Sequence, residues 1–130
     1  MTLPSDGKTR LIIADDVRKE FGGKITILGA FPGPSISVGM VPGVQPVIDS
    51  LCFLWWFTDG QGQFTSEMFV QDPNGIEIIR MPPASVIKNA DGDMNFVIKM
   101  TPFPIVFGTY RIGITLDAQL YERRIKFVSA

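Results

Sequence analysis

The sequence predicts an all-β domain: an antiparallel sandwich of two sheets, immunoglobulin-like in the broad sense, with about eight strands. Three observations carry that expectation. Thirteen glycines and ten prolines cut a chain of 130 residues into short segments. Within the segments, apolar and polar residues alternate with the two-residue period of a strand. No stretch carries a sustained helical period. The length predicts one domain, residues 1–130, able to bury a core without disulfides, with the polar residues 1–7 expected to be flexible.

In chain order, Lys8 to Asp16 reads as the first strand and Lys24 to Phe31 as its return. Between them, Asp16 is placed to cap a short helical turn through Val17–Glu20, and Gly22-Gly23 reverses the chain. Ile36 to Met40 is a short strand, and Val41 to Asp49 is a proline-broken loop. Leu51-Cys52-Phe53-Leu54-Trp55-Trp56-Phe57 follows, seven apolar residues of which four are aromatic. Neighbouring strand side chains point to opposite faces. Leu51, Phe53, Trp55 and Phe57 therefore share one face, and Cys52, Leu54 and Trp56 share the other. Both faces of this central strand need cover.

Phe64 to Gln71 alternates, Asp72-Pro73-Asn74-Gly75 has the chemistry of a tight turn, and Ile76 to Met81 runs on to Pro82-Pro83. Ser85 to Lys88 is an edge piece, and Met94 to Met100 alternates cleanly. Pro102 and Pro104 confine Thr101–Phe107 to an edge or loop. Gly108-Thr109-Tyr110 opens a strand to Leu116, and Gln119 to Val128 is the last. In that strand Arg123 falls on the face of Tyr121, Ile125 and Phe127, a conflict that a bulge or an exposed strand end would resolve.

The segment Ala14-Asp15-Asp16-Val17-Arg18-Lys19-Glu20-Phe21-Gly22-Gly23-Lys24 resembles the N-terminal signature of a family of small bacterial proteins of unknown function. The resemblance implies a cytoplasmic bacterial β-sandwich and transfers no catalytic residue.

Composition excludes more than it assigns. The chain has no histidine, which removes the commonest general base and the ordinary nucleophile triads. A net charge of −1 argues against a nucleic-acid partner, and no apolar run reaches membrane-spanning length. The opening lacks the apolar stretch of a signal peptide, and one cysteine suits a cytoplasmic location. Asn89–Asn95 spaces oxygen side chains like a cation loop, with Asp59 or Asp117 as outside contributors. Glycine comes too early and Met100 stands where a bidentate Glu belongs, so no metal is expected. Asp15, Asp16 and Glu20 are read as turn and ion-pair residues, Cys52 as a buried hydrophobe, and Arg123-Arg124-Ile125-Lys126 as a solvated edge.

No catalytic residue and no cofactor are assigned. The expected role is a non-enzymatic protein–protein contact, a homodimer or larger assembly, made through an aromatic patch of Leu54, Trp56, Phe69 and Ile79. The competing possibility is that the chain's own Val41–Asp49 or Phe103–Phe107 covers that face. The alternative role is a carbohydrate- or small-ligand-binding module, with Trp56 as platform and Asp59 and Gln61 for orientation.

Overall fold

In the computed structural model, which describes residues 1–130, the alternating segments become two β-sheets packed across one apolar core. A single 3-10 turn, Asp6–Lys8, precedes twelve strands. These are β1 Thr9–Lys19, β2 Ile25–Ala30, β3 Ser35–Val38, β4 Val47–Ile48, β5 Leu51–Phe57 and β6 Gly62–Gln71. They continue with β7 Glu77–Arg80, β8 Ala84–Lys88, β9 Met94–Met100, β10 Phe103–Pro104, β11 Gly108–Leu116 and β12 Gln119–Ser129. No helix is long and apolar enough to cross a membrane.

The first sheet runs β2-β1-β5-β9, the second β3-β12-β11-β6, with β7 and β8 on successive lengths of β6. Pro82-Pro83 divides that edge, because proline has no N–H for the ladder. This division and the two-residue clip of β4 with β10 raise the strand number above eight. All pairs are antiparallel except β3 with β12.

The core is built on β5. Leu51, Phe53, Trp55 and Phe57 face Met68 and Val70 of β6, Ile112 and Ile114 of β11, and Tyr121 and Phe127 of β12. Phe57 meets Tyr121 edge-on at 5.1 Å. Phe103, in the segment expected as edge or loop, is fully buried beside Phe53, Tyr110 and Phe127.

Three expectations are corrected by long-range contacts. Residues 1–7 are docked rather than flexible: Thr2 pairs with Gln61, Ser5 donates to Asp59, and the Tyr121 hydroxyl donates to the Pro4 carbonyl. No bulge accommodates Arg123, whose register with β11 is unbroken. Its guanidinium lies 5.6 Å over the Trp55 ring and donates to Asp6 and to the Thr9 carbonyl, so the charge is paired where the sandwich edge closes. Asp16 caps no helical turn, because β1 continues as strand through Val17 to Lys19. Its carboxylate accepts from Arg18 and Lys99, and those hydrogen bonds hold it below the usual carboxylate range.

The extended β1–β2 hairpin supplies the cover for the outer face of β5. Ile25 lines a hollow with Trp56. Yet Ile25 pairs with Lys19, and Trp56 pairs with Arg10. A straight strand would separate those two positions by roughly 30 Å. The hairpin therefore folds back across β5 and β9. The bend sits at Asp15 and Gly29: Gly29 has φ +66°, and its missing Cβ makes room for the Asp15 carboxyl. Hydrogen bonding also changes phase there. Phe31 N–H donates to the Ile13 carbonyl and Glu20 N–H to the Lys24 carbonyl. Those two pairs are an odd number of residues apart, so the faces exchange once between them. The exchange turns half-buried Val17, Ile25 and Ile27 toward β5 and leaves Arg18 and Leu28 exposed. Leu54 and Cys52 are fully buried. Neither Val41–Asp49 nor Phe103–Phe107 is the cover.

Replacing Gly29 with valine places a β-branched residue at positive φ and is expected to cost about 1–2 kcal/mol and lift the hairpin. Burial pushes the Cys52 thiol pKa up and keeps it protected. Thiol labelling under native conditions should be slow in the parent and fast in Gly29→Val. A variant that stays folded and unlabelled would show that the hairpin is not the cover.

Burial also pushes the Tyr121 phenol up to about 12. Tyrosine in the unfolded chain ionises near 10. The stability this group contributes is thus full below about pH 10. It falls as pH rises from about 10 to about 12, by up to about 1.4 kcal/mol per pH unit. Tyr121→Phe should shallow that alkaline decline. At neutral pH it should cost about 1–3 kcal/mol, because the Pro4 carbonyl loses its donor. Urea titrations at pH 7 to 11.5 measure both effects.

Candidate functional site

Six of the seven residues of β5 are fully buried, and Trp56 alone stays half-exposed. Trp55 is the inward tryptophan of the pair and Trp56 the outward one. The Trp56 indole is fixed by its Nε1–H, which donates to Asp93 Oδ2 at 2.9 Å. Its register partners are Arg10 on β1 and Asn95 on β9.

The indole is a wall shared by two hollows. One, of about 400 Å³, is lined by Gly23 and Ile25 of the folded-back hairpin and by Trp56, Asp91, Asp93 and Asn95. The other, of about 340 Å³, is lined by Gly7, Lys8, Arg10, Ile12, Trp56 and Thr58. The first is acidic and the second basic. None of the seven ion pairs of the molecule involves Asp91, Asp93, Lys8 or Arg10. Four exposed charges thus stand outside any ion pair on the two sides of one aromatic plate, with Lys8 in the field of the Asp59 carboxylate.

A lysine holds the loops that frame this plate. Lys88 is 2% exposed, and its ammonium donates to the Asn89 carbonyl at 2.7 Å and the Gly60 carbonyl at 3.3 Å. It ties the Asn89–Asp93 loop to the turn after β5. Sequence inspection assigned Lys88 to an edge piece, and no local pattern distinguishes a clamping lysine from a solvated one.

The four residues expected to form one patch do not converge. Leu54 and Trp56 lie on the outer side of the first sheet. Phe69 lies on the outer side of the second, under the guanidiniums of Arg80 and Arg111 at 5.2 and 5.1 Å and over Gly113. Ile79 turns inward, because it pairs with the core residue Val70 beside a register shift at Val70/Gln71. Asp59 and Gln61 do not join Trp56 either. Asp59 accepts both the N–H and the hydroxyl of Ser5, and the hydroxyl bond is the main cause of its lowered pKa. The backbone of Gln61 pairs with Thr2. Both residues moor the N-terminus. Asp117, the other outside candidate for the cation loop, accepts the Thr65 N–H at 2.8 Å. No three His, Cys, Asp or Glu side chains converge as a metal site would require.

Lys88→Met keeps the bulk of the side chain and strips two carbonyls of their donor. It should lower stability by about 1–3 kcal/mol. Hydrogen exchange should show faster opening of residues 58–61 and 89–93 than of β11. Uniform destabilisation without that local effect would refute the clamp.

No curated protein is significantly similar in sequence. Among solved structures, the beta-glucosidase of Listeria innocua, determined in complex with isofagomine, is 10% identical with a TM-score of 0.42, over 94% of this chain and 16% of that one. The b-glucosidase EmGH1 from Erythrobacter marinus is 16% identical with a TM-score of 0.40, over 92% of this chain and 16% of that one. The C-terminal domain of Wzt is 13% identical with a TM-score of 0.45, over 100% of this chain and 78% of that one. The chain spans 16% of the length of each glucosidase, and nothing about activity follows from likenesses at this level. The model of a family of unknown function, DUF6941, matches residues 9–127, and the chain belongs to that family.

Proposed function

We propose that this protein is a non-enzymatic binding module whose ligand lies against the indole of Trp56. The observation that carries the proposal is an aromatic plate oriented by Asp93 and left open on two sides, on a strand otherwise sealed from solvent. Rigid aromatic surface flanked by a few oriented polar groups is the usual make-up of a small-ligand site. With Leu54 and Cys52 already buried by the chain itself, this face has little apolar area left for a second copy to cover. We place the protein in the bacterial cytoplasm, on the Ala14–Lys24 segment and the single cysteine.

Trp55 is sealed, so ligand-dependent changes in tryptophan emission should come from Trp56. Titration with glycans, heterocycles and charged small molecules should produce quenching and a spectral shift for at least one class. The response should vanish in Trp56→Ala, whose far-ultraviolet spectrum stays that of the parent. A flat response across the whole panel removes the proposal.

A second reading, assembly with other copies, is favoured by a different surface. No charged residue occurs between Lys24 and Asp49, and within that stretch Met40, Val41, Val44 and Val47 are exposed. A soluble monomer seldom leaves such a loop without a partner. Light scattering behind a sizing column should then give a mass above that of one chain, reduced to one chain by Val41→Ser with Val44→Ser. A monomer at about 50 µM rejects it.

A further inference from the structure

We infer that the ligand of the Trp56 site is dipolar, with a hydrogen-bonding cation at one end and an anion at the other. The inference rests on the binding role proposed above and adds the chemistry of the ligand. Two independent features support it. On one side of the indole, the hollow presents the carboxylates of Asp91 and Asp93, and neither is paired to a cation. On the other, Lys8 and Arg10 line the second hollow; neither is in an ion pair, and Asp59, which acts on Lys8 electrostatically, is already held by Ser5.

The fold sets the spacing between the two ends. Arg10 on β1 and Asn95 on β9 flank Trp56 as its register partners, so the two hollows are separated by two interstrand steps. At about 4.8 Å per step, the charges of a matching ligand lie roughly 10 Å apart. A cation entering the acidic hollow meets the carboxylates beside the N–H edge of the indole. Asp93 spends one oxygen on the Trp56 N–H, which leaves its other oxygen and both oxygens of Asp91 as acceptors. That arrangement favours an ammonium or guanidinium, which donates hydrogen bonds, over a quaternary ammonium, which has none to give. The neighbouring charges would repel the reversed orientation, so the ligand has one way to lie across the plate.

The test uses the intact chain and a matched set of probes: 8-aminooctanoate, octylamine, octanoate, octanamide and the N,N,N-trimethyl form of 8-aminooctanoate. Binding is followed by Trp56 emission and by calorimetry. The zwitterion is expected to bind about fivefold tighter than either singly charged probe, each partly exposed ion pair being worth about that factor. The trimethylated zwitterion should lose most of the gain. Asp91→Asn should reduce the preference for the zwitterion over octanoate, and Arg10→Gln its preference over octylamine, with Asp93 and Lys8 carrying the remainder. Raising salt to about 1 M should shrink both preferences. An arginine–aspartate peptide of the same charge spacing, run beside 8-aminooctanoate, separates a peptide source from a small-molecule source. Equal affinity for octanamide and the zwitterion overturns the dipolar assignment and leaves the binding role standing. Quenching by neutral glycans alone does the same. No response to any probe or glycan up to about 10 mM overturns both.

Discussion

A strand that is apolar on both faces must be covered on both, because each fully buried large side chain gains roughly 1.5–3 kcal/mol only when water is excluded from it. In β5 one face belongs to the sandwich core, where Phe53, Trp55 and Phe57 meet the second sheet. The other face belongs to no second layer of sheet. It is sealed by the chain's own β1–β2 hairpin, turned back at Asp15 and Gly29. The position of the hairpin, the burial of Leu54 and Cys52, and the hollow beside Trp56 all follow from that one bend. Without it, the first sheet would carry an open apolar stripe over Cys52 and Leu54.

Much of the architecture was legible from residue order. The alternation in Met94–Met100 and Gly108–Leu116, the Asp72–Gly75 turn and the all-apolar Leu51–Phe57 each place a strand or turn by local rules. The misses share a cause. Asp16 has the chemistry of a helix cap, but Val17 pairs with Ile27 across the hairpin and keeps the backbone extended. Arg123 breaks the pattern of its strand because its partners, Asp6, Thr9 and the Trp55 ring, lie more than sixty residues away in sequence. Periodicity reports which face a side chain takes and is silent about what waits there.

The candidate site was half legible for the same reason. That one of Trp55 and Trp56 faces outward is forced by strand geometry. Which polar groups stand beside it depends on loop closure. Asp59 and Gln61 are near in sequence but were drawn off by Ser5 and Thr2. Asp91 and Asp93 come from the far end of the β8–β9 connection, held there by a lysine clamp that no motif announces. Phe69, an equally large aromatic, is disqualified by the two guanidiniums stacked on it. A buried, satisfied aromatic is scaffold, and an oriented, half-open one is available for recognition.

The bend also accounts for why the opening lies at Trp56 rather than elsewhere on β5. A hairpin of fixed length, folded back from Asp15, has its tip at Gly22-Gly23, and the reach of that tip sets where cover ends. Cys52 and Leu54 fall under its apolar residues, whereas Trp56 falls at the rim, where Gly23 and Ile25 form one wall of a hollow. Beyond the rim the cover is loop rather than strand, and loops bring the charged residues Lys8, Asp91 and Asp93. An aromatic surface bordered on opposite sides by opposite charge is thus a geometric consequence of a hairpin too short to seal the whole strand. Lengthening the tip would cover Trp56 and shortening it would bare Leu54, so the burial of the one and the exposure of the other are set by the same few residues.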